Sequence, residues 1–195
     1  MQRSPVTDPL GQLSEDRRLA RERQDPCAAL CTLASLNDAG WPDARTLVLR
    51  DLEDQLAVFV NATSPKFAHL ERVAVVVWLP SLNLQYRLRC TTSPVPDALV
   101  AESWQLRPDP PKRMDWLYTL HQGQSTPIAS RDALLETLAG LSLPDPLVAP
   151  ETARGFYLNP EQIDRLDLGM ENGVHDRRRY LPGNPGGWIE EVLVP

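Results

Sequence analysis

The chain has 195 residues, of which 42% are hydrophobic, enough to bury a core in one domain or two small ones. Its formal net charge of −6 disfavours nucleic-acid binding, and no stretch approaches the roughly 18 apolar residues of a membrane-spanning helix. No apolar run follows the first residues and the three cysteines have no metal-ligand spacing, so we expect a soluble cytoplasmic protein without a metal site or a membrane partner.

The first predicted element is a charged helix over Leu13 to Gln24. Ser14 is a suitable N-cap, and Asp25-Pro26 would end the helix. We therefore divide the chain into an N-terminal helical segment, residues 1–24, and a single domain, residues 25–195.

Short strands separated by turns dominate the next part of the chain. They are predicted over residues 28–36, 43–49, 56–60, 73–79 and 84–91. The run 73–79 is almost continuously apolar, which is typical of a strand covered on both faces. Ser64-Pro65 resembles a helix start, with a helix to about Glu71. Strands joined in this way favour an antiparallel meander or a small barrel.

The middle of the chain is helical and rich in proline. Helices are predicted over 97–105, 112–121 and 130–141, the last with Ser130 as its cap. Strands return from Gly155 to the end of the chain. This order favours an α+β fold in which the late strands complete the first sheet.

Two candidate anion sites precede the helical region. Arg45 and Arg50 flank an apolar strand, and guanidinium groups bind phosphate through paired hydrogen bonds. In a regular strand they would point to opposite faces, and both could simply be solvated. The segment from Asn61 to Lys66 combines a hydroxyl cap, a helix start and a lysine, which together form a weak phosphate-binding signal.

Three further polar positions are candidates for ligand contacts. Gln85 lies among apolar strand neighbours, where its amide could read a heterocycle or merely face solvent. Gln124 and Ser125 lie in a polar loop. In His175-Asp176-Arg177, strand alternation puts His175 and Arg177 on one face. A lone histidine is by default structural, and the arginine on the same face increases the chance that this one contacts an anionic ligand.

Taken together and in this order, these motifs resemble pyridoxamine 5'-phosphate oxidase and its relatives, the FMN-binding split β-barrel family. The resemblance runs from about Ala28 to Pro195. It implies an antiparallel split β-barrel with peripheral helices, and a homodimer with FMN at the interface.

The resemblance also implies roles for individual residues. The cofactor-binding positions would be Arg45, Thr46, Leu47, Val48, Leu49, Arg50, Phe59, Val60, Ser64, Lys66, Gln85, Gln124, Ser125 and Arg177. Arg50, Arg107 and His175 would bind the substrate, and His175 would be the catalytic residue.

The sequence departs from the family pattern mainly on the substrate side. Gly173 replaces an arginine, Ser103 a tyrosine, and Leu166 a tryptophan near the flavin. Arg50 replaces a lysine, and Pro65 replaces an arginine beside the phosphate. The resemblance therefore implies an FMN-dependent oxidoreductase related to pyridoxamine 5'-phosphate oxidase, which acts either on pyridoxamine 5'-phosphate or on another substrate. The alternative is an FMN-binding or ligand-binding protein without turnover.

Overall fold

The computed structural model describes residues 8–169, 172–183 and 186–195, so residues 1–7 of the predicted N-terminal segment lie outside it. Within the described residues, nine strands form one antiparallel sheet accompanied by four α-helices. The strands are β1 Leu30–Leu36, β2 Pro42–Val48, β3 Arg50–Leu52, β4 Gln55–Asn61, β5 Arg72–Leu79, β6 Leu84–Pro94, β7 Ala153–Asp167, β8 Asp176–Pro182 and β9 Trp188–Leu193. The α-helices are α1 Pro9–Glu22, α2 Asp97–Gln105, α3 Asp109–Leu120 and α4 Arg131–Ala139.

The sheet curls because its two outermost strands are consecutive in the chain. The strand order is β2-β1-β5-β6-β7-β4-β3. Only Leu49 separates β2 from β3, and its N–H donates to the carbonyl of Ala29 at 2.9 Å. The ends of the sheet are thus held together, as closure into a barrel requires.

The long strand β7 splits the barrel. One edge of β7 pairs with β6, while the other edge pairs first with β4, over residues 153–157, and then with β8, over residues 163–167. The register with β6 shifts between Arg89 and Cys90, opposite the segment from Pro160 to Gln162. A bulge there is expected, since proline has no N–H to donate to the ladder. The late strands complete the first sheet, as the sequence predicts.

Helix α1 begins earlier than predicted. Asp8 is the N-cap, with its carboxylate accepting from the N–H of Leu10 at 3.1 Å, and Pro9 occupies the first helical position. Ser14 lies inside the helix, so its prediction as the cap is wrong. Leu13 and Ala20 are fully buried and join the main core of the barrel.

Two other local predictions need correction. Strand β5 was predicted to be covered on both faces, but its positions alternate between exposed and buried. Its outer face carries Ala74, Val76 and Trp78, and no element of the described chain covers that face. The predicted helix after Ser64 is a five-residue 3₁₀ helix, Pro65–His69, and Ser64 makes no capping hydrogen bond to it.

The helical region packs on the outside of the sheet. Val100 and Trp104 of α2 form a second apolar cluster with Ala57, Ala153 and Tyr157. Helix α4 starts as predicted, since the Ser130 hydroxyl accepts from the N–H of Ala133 at 3.0 Å. None of the described helices has the length and apolar character needed to cross a membrane.

Candidate functional site

Two neighbouring cavities lie against the apolar side chains of β2 and β4. Their volumes are about 270 and 530 Å³. Leu47, Phe59, Val60 and Arg107 line both. The two cavities therefore share one apolar wall and one cation.

Phe59 can lie in this wall because the residue opposite it on β7 is a glycine. Gly155 is its register partner. A Cβ on Gly155 would lie 2.9 Å from Phe59 Cε1 and 2.9 Å from Val95 Cβ. Both distances are shorter than a van der Waals contact, so a side chain at this position would displace the ring.

Two cations lie beyond the apolar wall. Lys66 lines the larger cavity and donates to the Ser64 hydroxyl at 2.7 Å. Arg45 donates to the Ser35 hydroxyl at 2.9 Å. Burial, and secondarily the charge of Arg45, lowers the pKa of Lys66. A bound anion would relieve both effects, so this cluster is suited to bind one.

A polar turn closes the larger cavity. The buried Asn61 accepts from the N–H and hydroxyl of Thr63 at 3.0 and 2.7 Å, and Thr63 Oγ1 accepts from the N–H of Gln124 at 3.1 Å. Gln124 thereby joins Lys66 in the lining of this cavity. Ser125 is exposed at φ +73° and lines a separate cavity of about 160 Å³.

The chain breaks its strand alternation between Arg45 and Arg50. Because β2 ends at Val48 and β3 begins at Arg50, the regular strand that would put the two arginines on opposite faces does not exist. Thr46, Val48 and Arg50 line the smaller cavity together with Ser103. Arg50 and Arg107, far apart in the sequence, are therefore brought to one cavity.

The sequence interpretation missed the carboxylate that binds Arg107. Asp115 pairs with Arg107 Nη1, and the same Oδ2 accepts from the indole N–H of Trp104 at 2.8 Å. The side chain of Asp115 is 10% exposed and that of Arg107 31% exposed. No spacing rule connects them, because Arg107 precedes α3 and Asp115 lies within it.

Arg177 lies at a third cavity, of about 340 Å³, lined by β5, β6, β7 and β8. Its Nη2 lies 3.2 Å from the carboxylate of Asp164, which also binds Arg87 at 2.7 Å and lies 3.5 Å from Arg179. Burial alone would raise the pKa of Asp164, but hydrogen bonds from Gln162, Arg87 and Arg177 outweigh it and lower that pKa.

Gln85 and His175 are also away from the first two cavities. Gln85 is half-buried on β6, between Trp78 and Leu166. His175 is exposed and immediately precedes β8, so strand alternation does not extend from Arg177 to it. Leu49, also predicted to bind the cofactor, is 2% exposed in the main core and lines neither of the first two cavities. Within the described chain, most of the predicted cofactor residues thus lie at or beside the first two cavities, while Leu49, Gln85, Ser125 and Arg177 lie elsewhere.

Comparison with known proteins identifies the family. No family model matches the chain. A pyridoxine/pyridoxamine 5'-phosphate oxidase of Pseudoalteromonas atlantica is 30% identical over 98% of this chain and 91% of that protein. A protein of the same name from a Nocardioides species is 32% identical over 79% of this chain and 72% of its own.

The chain belongs to the pyridoxine/pyridoxamine 5'-phosphate oxidase family.

Solved structures show the same fold. PhzG of Burkholderia lata, in complex with tetrahydrophenazine-1-carboxylic acid, superposes with a TM-score of 0.80 at 21% identity, over 98% of this chain and 95% of that one. A pyridoxamine 5'-phosphate oxidase-related, FMN binding protein of Nostoc punctiforme gives 0.74 at 22% identity, over 95% and 96% of the two chains. The predicted split barrel is confirmed.

The positions at which this member departs from the pyridoxamine 5'-phosphate oxidase pattern are spread over the structure. Ser103 lines the smaller cavity beside Arg107. Leu166 pairs with Gln85 and with Arg177. Gly173 is exposed and has φ +72°, and a Cβ added at this position would have no neighbouring atom within 4 Å. The smaller cavity therefore has a hydroxyl where the family pattern has a phenol.

Proposed function

We propose that this protein binds FMN and acts as an oxidoreductase related to pyridoxamine 5'-phosphate oxidase, on a different substrate. The observation that carries the proposal is the apolar wall of Leu47, Phe59 and Val60, which continues from a cavity containing Lys66 to a cavity containing Arg50. A cofactor with a flat ring and an anionic tail needs an apolar surface for the ring and a cation for the tail. A small anionic substrate next to the ring needs a second cation at the other end of that surface.

The donor set fits the phosphate of FMN. Lys66 and Arg45 supply two positive charges, and Ser64 supplies a hydroxyl already bonded to Lys66 at 2.7 Å. Charge-assisted hydrogen bonds of this type are stronger than those between neutral groups. We therefore assign Arg45, Ser64 and Lys66 to the phosphate, and Gln124 to a polar edge of the cofactor.

The remaining residues would position the reacting partner. When bound, FMN supplies a hydride acceptor. Arg50 and Arg107 would hold the anionic group of the substrate, while Phe59 and Trp104 exclude water from the smaller cavity. His175 is proposed to face the substrate as the catalytic residue.

We propose further that the site is completed in a homodimer. Within one chain, Arg177 and Gln85 lie away from the cavity of Lys66, which supports a dimer. One subunit would contribute the residues around Lys66, and the other would contribute Gln85 and Arg177. Large apolar side chains are exposed on or next to the same sheet: Val48 at 45%, Trp78 at 37%, and Trp41, which immediately precedes β2, at 71%. In the dimer, Arg45, Ser64 and Lys66 would meet the partner subunit's Gln85 or Arg177. Light scattering that finds a monomer with tightly bound FMN would refute this arrangement.

The cofactor assignment is tested by FMN titration of the purified protein. The double variant Arg45→Ala, Lys66→Ala should lose at least about 100-fold in FMN affinity, since two charge-assisted hydrogen bonds are removed. Arg18→Ala is the matched control, because it removes an exposed arginine of α1 that pairs with Glu15 at 2.6 Å. Equal FMN affinity in the double variant and the control would show that the phosphate binds elsewhere.

Turnover is tested by anaerobic reduction of the bound flavin. Bleaching by a substrate from a panel of amines and aromatic acids would support an oxidoreductase. Gly173 and the pairing of Arg107 with Asp115 predict weak bleaching by pyridoxamine 5'-phosphate. A flavin that neither the panel nor NAD(P)H bleaches would favour the alternative, an FMN-binding protein without turnover.

A further inference from the structure

The smaller cavity is lined by a third arginine, Arg154, in addition to Arg50 and Arg107. Arg154 lies directly opposite Val60 in the ladder between β4 and β7. Directly paired residues of an antiparallel ladder project from the same face of the sheet, and Val60 also belongs to the lining of this cavity. The side chain of Arg154 therefore adds a guanidinium group to the wall that Val60 forms.

Arg154 is held in place by backbone carbonyl groups and not by a carboxylate. Its Nη1 donates to the carbonyl of Ala153 at 2.8 Å and to that of Glu151. These bonds orient the side chain, but carbonyl oxygens are neutral acceptors and leave its full positive charge in place. Nε and Nη2 donate to none of the described residues, so this guanidinium keeps N–H groups for a ligand.

The positive charges around the smaller cavity are only partly balanced by the described residues. Arg107 pairs with Asp115, which lines the larger cavity and not this one. Arg50 and Arg154 form no ion pair with a described residue, and the lining that those residues provide contains no aspartate or glutamate. Three guanidinium groups and one carboxylate leave two positive charges, which a ligand with two negative charges would match.

Arg50 and Arg154 reach the cavity from different sides of β4. Arg50 pairs with Ala57 from β3, and Arg154 pairs with Val60 from β7. Since β3 and β7 flank β4 on its two edges, the backbones of the two arginines are about 10 Å apart across the sheet and about 10 Å apart along the strand. One small anion between Arg50 and Arg107 would leave Arg154 without a partner. The arrangement therefore favours two separate anionic groups over a single one.

We propose that Arg154 is a further substrate-binding residue, which determines specificity for a ring compound with two separate anionic groups. This rests on the proposed function, which places one anionic group of the substrate between Arg50 and Arg107. The second group would bind Arg154, and the ring would lie on the apolar part of the lining, which includes Phe59 and Val100. Because the cavity has a volume of only about 270 Å³, we infer that both groups are carboxylates, which are small and accept paired hydrogen bonds from a guanidinium.

The test uses calorimetry on FMN-saturated protein at neutral pH, with benzoate and the isomers of benzenedicarboxylate, which differ in the spacing of the two carboxylates. The best isomer should bind at least about ten-fold more tightly than benzoate, the gain expected from one charge-assisted hydrogen-bonded pair. Arg154→Met should remove this advantage, because it keeps a long side chain and removes the charge. Phenyl phosphate, which carries its charges on one group, should bind more weakly than the best dicarboxylate.

Arg72→Met is the matched control. Arg72 is an exposed arginine at the start of β5 and lines neither cavity of the site, so this variant should keep the preference for the dicarboxylate. The proposal is overturned if no isomer binds better than benzoate, if phenyl phosphate binds as tightly as the best isomer, or if Arg154→Met and Arg72→Met behave alike. The first two outcomes need no variant, so the proposal stays testable even if Arg154→Met does not fold.

Failure of the proposed function has a different signature. Protein that does not take up FMN refutes the cofactor assignment, while the dicarboxylate preference measured on that protein still tests Arg154. Protein that is saturated with FMN but does not prefer a dicarboxylate leaves the cofactor assignment intact and refutes the role of Arg154.

Discussion

Arg17 Nη2 donates to the carbonyl oxygen of Leu49 at 2.8 Å, joining α1 to the single residue that separates β2 from β3. The same guanidinium binds Asp51 at 2.6 Å and the carbonyl of Ala28 at 3.2 Å. Arg17 is 1% exposed, and burial lowers the pKa of its guanidinium despite the opposing charge of Asp51. Helix α1 therefore holds the bend from which Arg50 enters the smaller cavity.

We expect Arg17→Met to destabilise the protein by about 3 kcal/mol, since it leaves buried carbonyl groups without donors and removes the partner of Asp51. Urea unfolding measures this change. Arg18→Met is the control: Arg18 is exposed, and its ion pairs among the described residues are with Glu15 and Glu22 of its own helix, so the midpoint of this variant should stay unchanged. Similar midpoints for the two variants would contradict the role of Arg17.

Gly155→Ala should destabilise the protein by about 1–3 kcal/mol and weaken FMN binding, because the added Cβ displaces Phe59 and Val95. Urea unfolding and FMN titration on the same samples give the two effects. Gly140→Ala is the matched control, since Gly140 follows α4 at φ −79° and a Cβ there meets only ordinary contacts, the nearest at 3.5 Å. The position of Phe59 would be unimportant if the Gly155 variant bound FMN normally.

FMN affinity should fall as the pH rises through the pKa of Lys66. Burial and Arg45 lower this pKa in the free protein, whereas a bound phosphate would raise it. Affinity is therefore fully present below the lowered pKa and is lost between that value and the pKa in the complex. FMN titrations from neutral to alkaline pH measure the slope. Lys66→Arg should flatten it, because a guanidinium stays protonated; an unchanged slope would exclude Lys66 as its source.

Asp164→Asn should cost about 2 kcal/mol of folding free energy, less than a fully buried pair, because Arg87 is 48% exposed. The pKa of Asp164 is lowered, so its contribution is present above the unfolded value of about 3.9 and is lost as the pH falls through the folded value. Acid unfolding followed by circular dichroism should show this loss only in the unmodified protein. Asp167→Asn, on the same strand and 3.5 Å from Arg165, is the control with the smaller effect.

Much of the barrel could be predicted because its signals are local. Strand-like runs bounded by turn signals predicted β2, β4 and β6, and the Ser130 cap located the start of α4. The N-cap at Asp8 lies before the charged, helix-prone stretch from Leu13 to Gln24 that predicts this helix, so the prediction does not include it. The prediction that β5 is covered on both faces is wrong within the described chain. An apolar run does not show which element packs on each face of the strand.

The sequence by itself determined the family and the residue types that a cofactor and an anionic substrate need. Only the tertiary structure decided how those residues are combined. It separates Arg177 from Lys66, bends the chain at Leu49 so that Arg50 reaches Arg107, and binds Arg107 to Asp115. The physical reason is that periodicity and capping act over a few residues. The charge and shape of a cavity depend on side chains from distant segments, and packing alone brings those together.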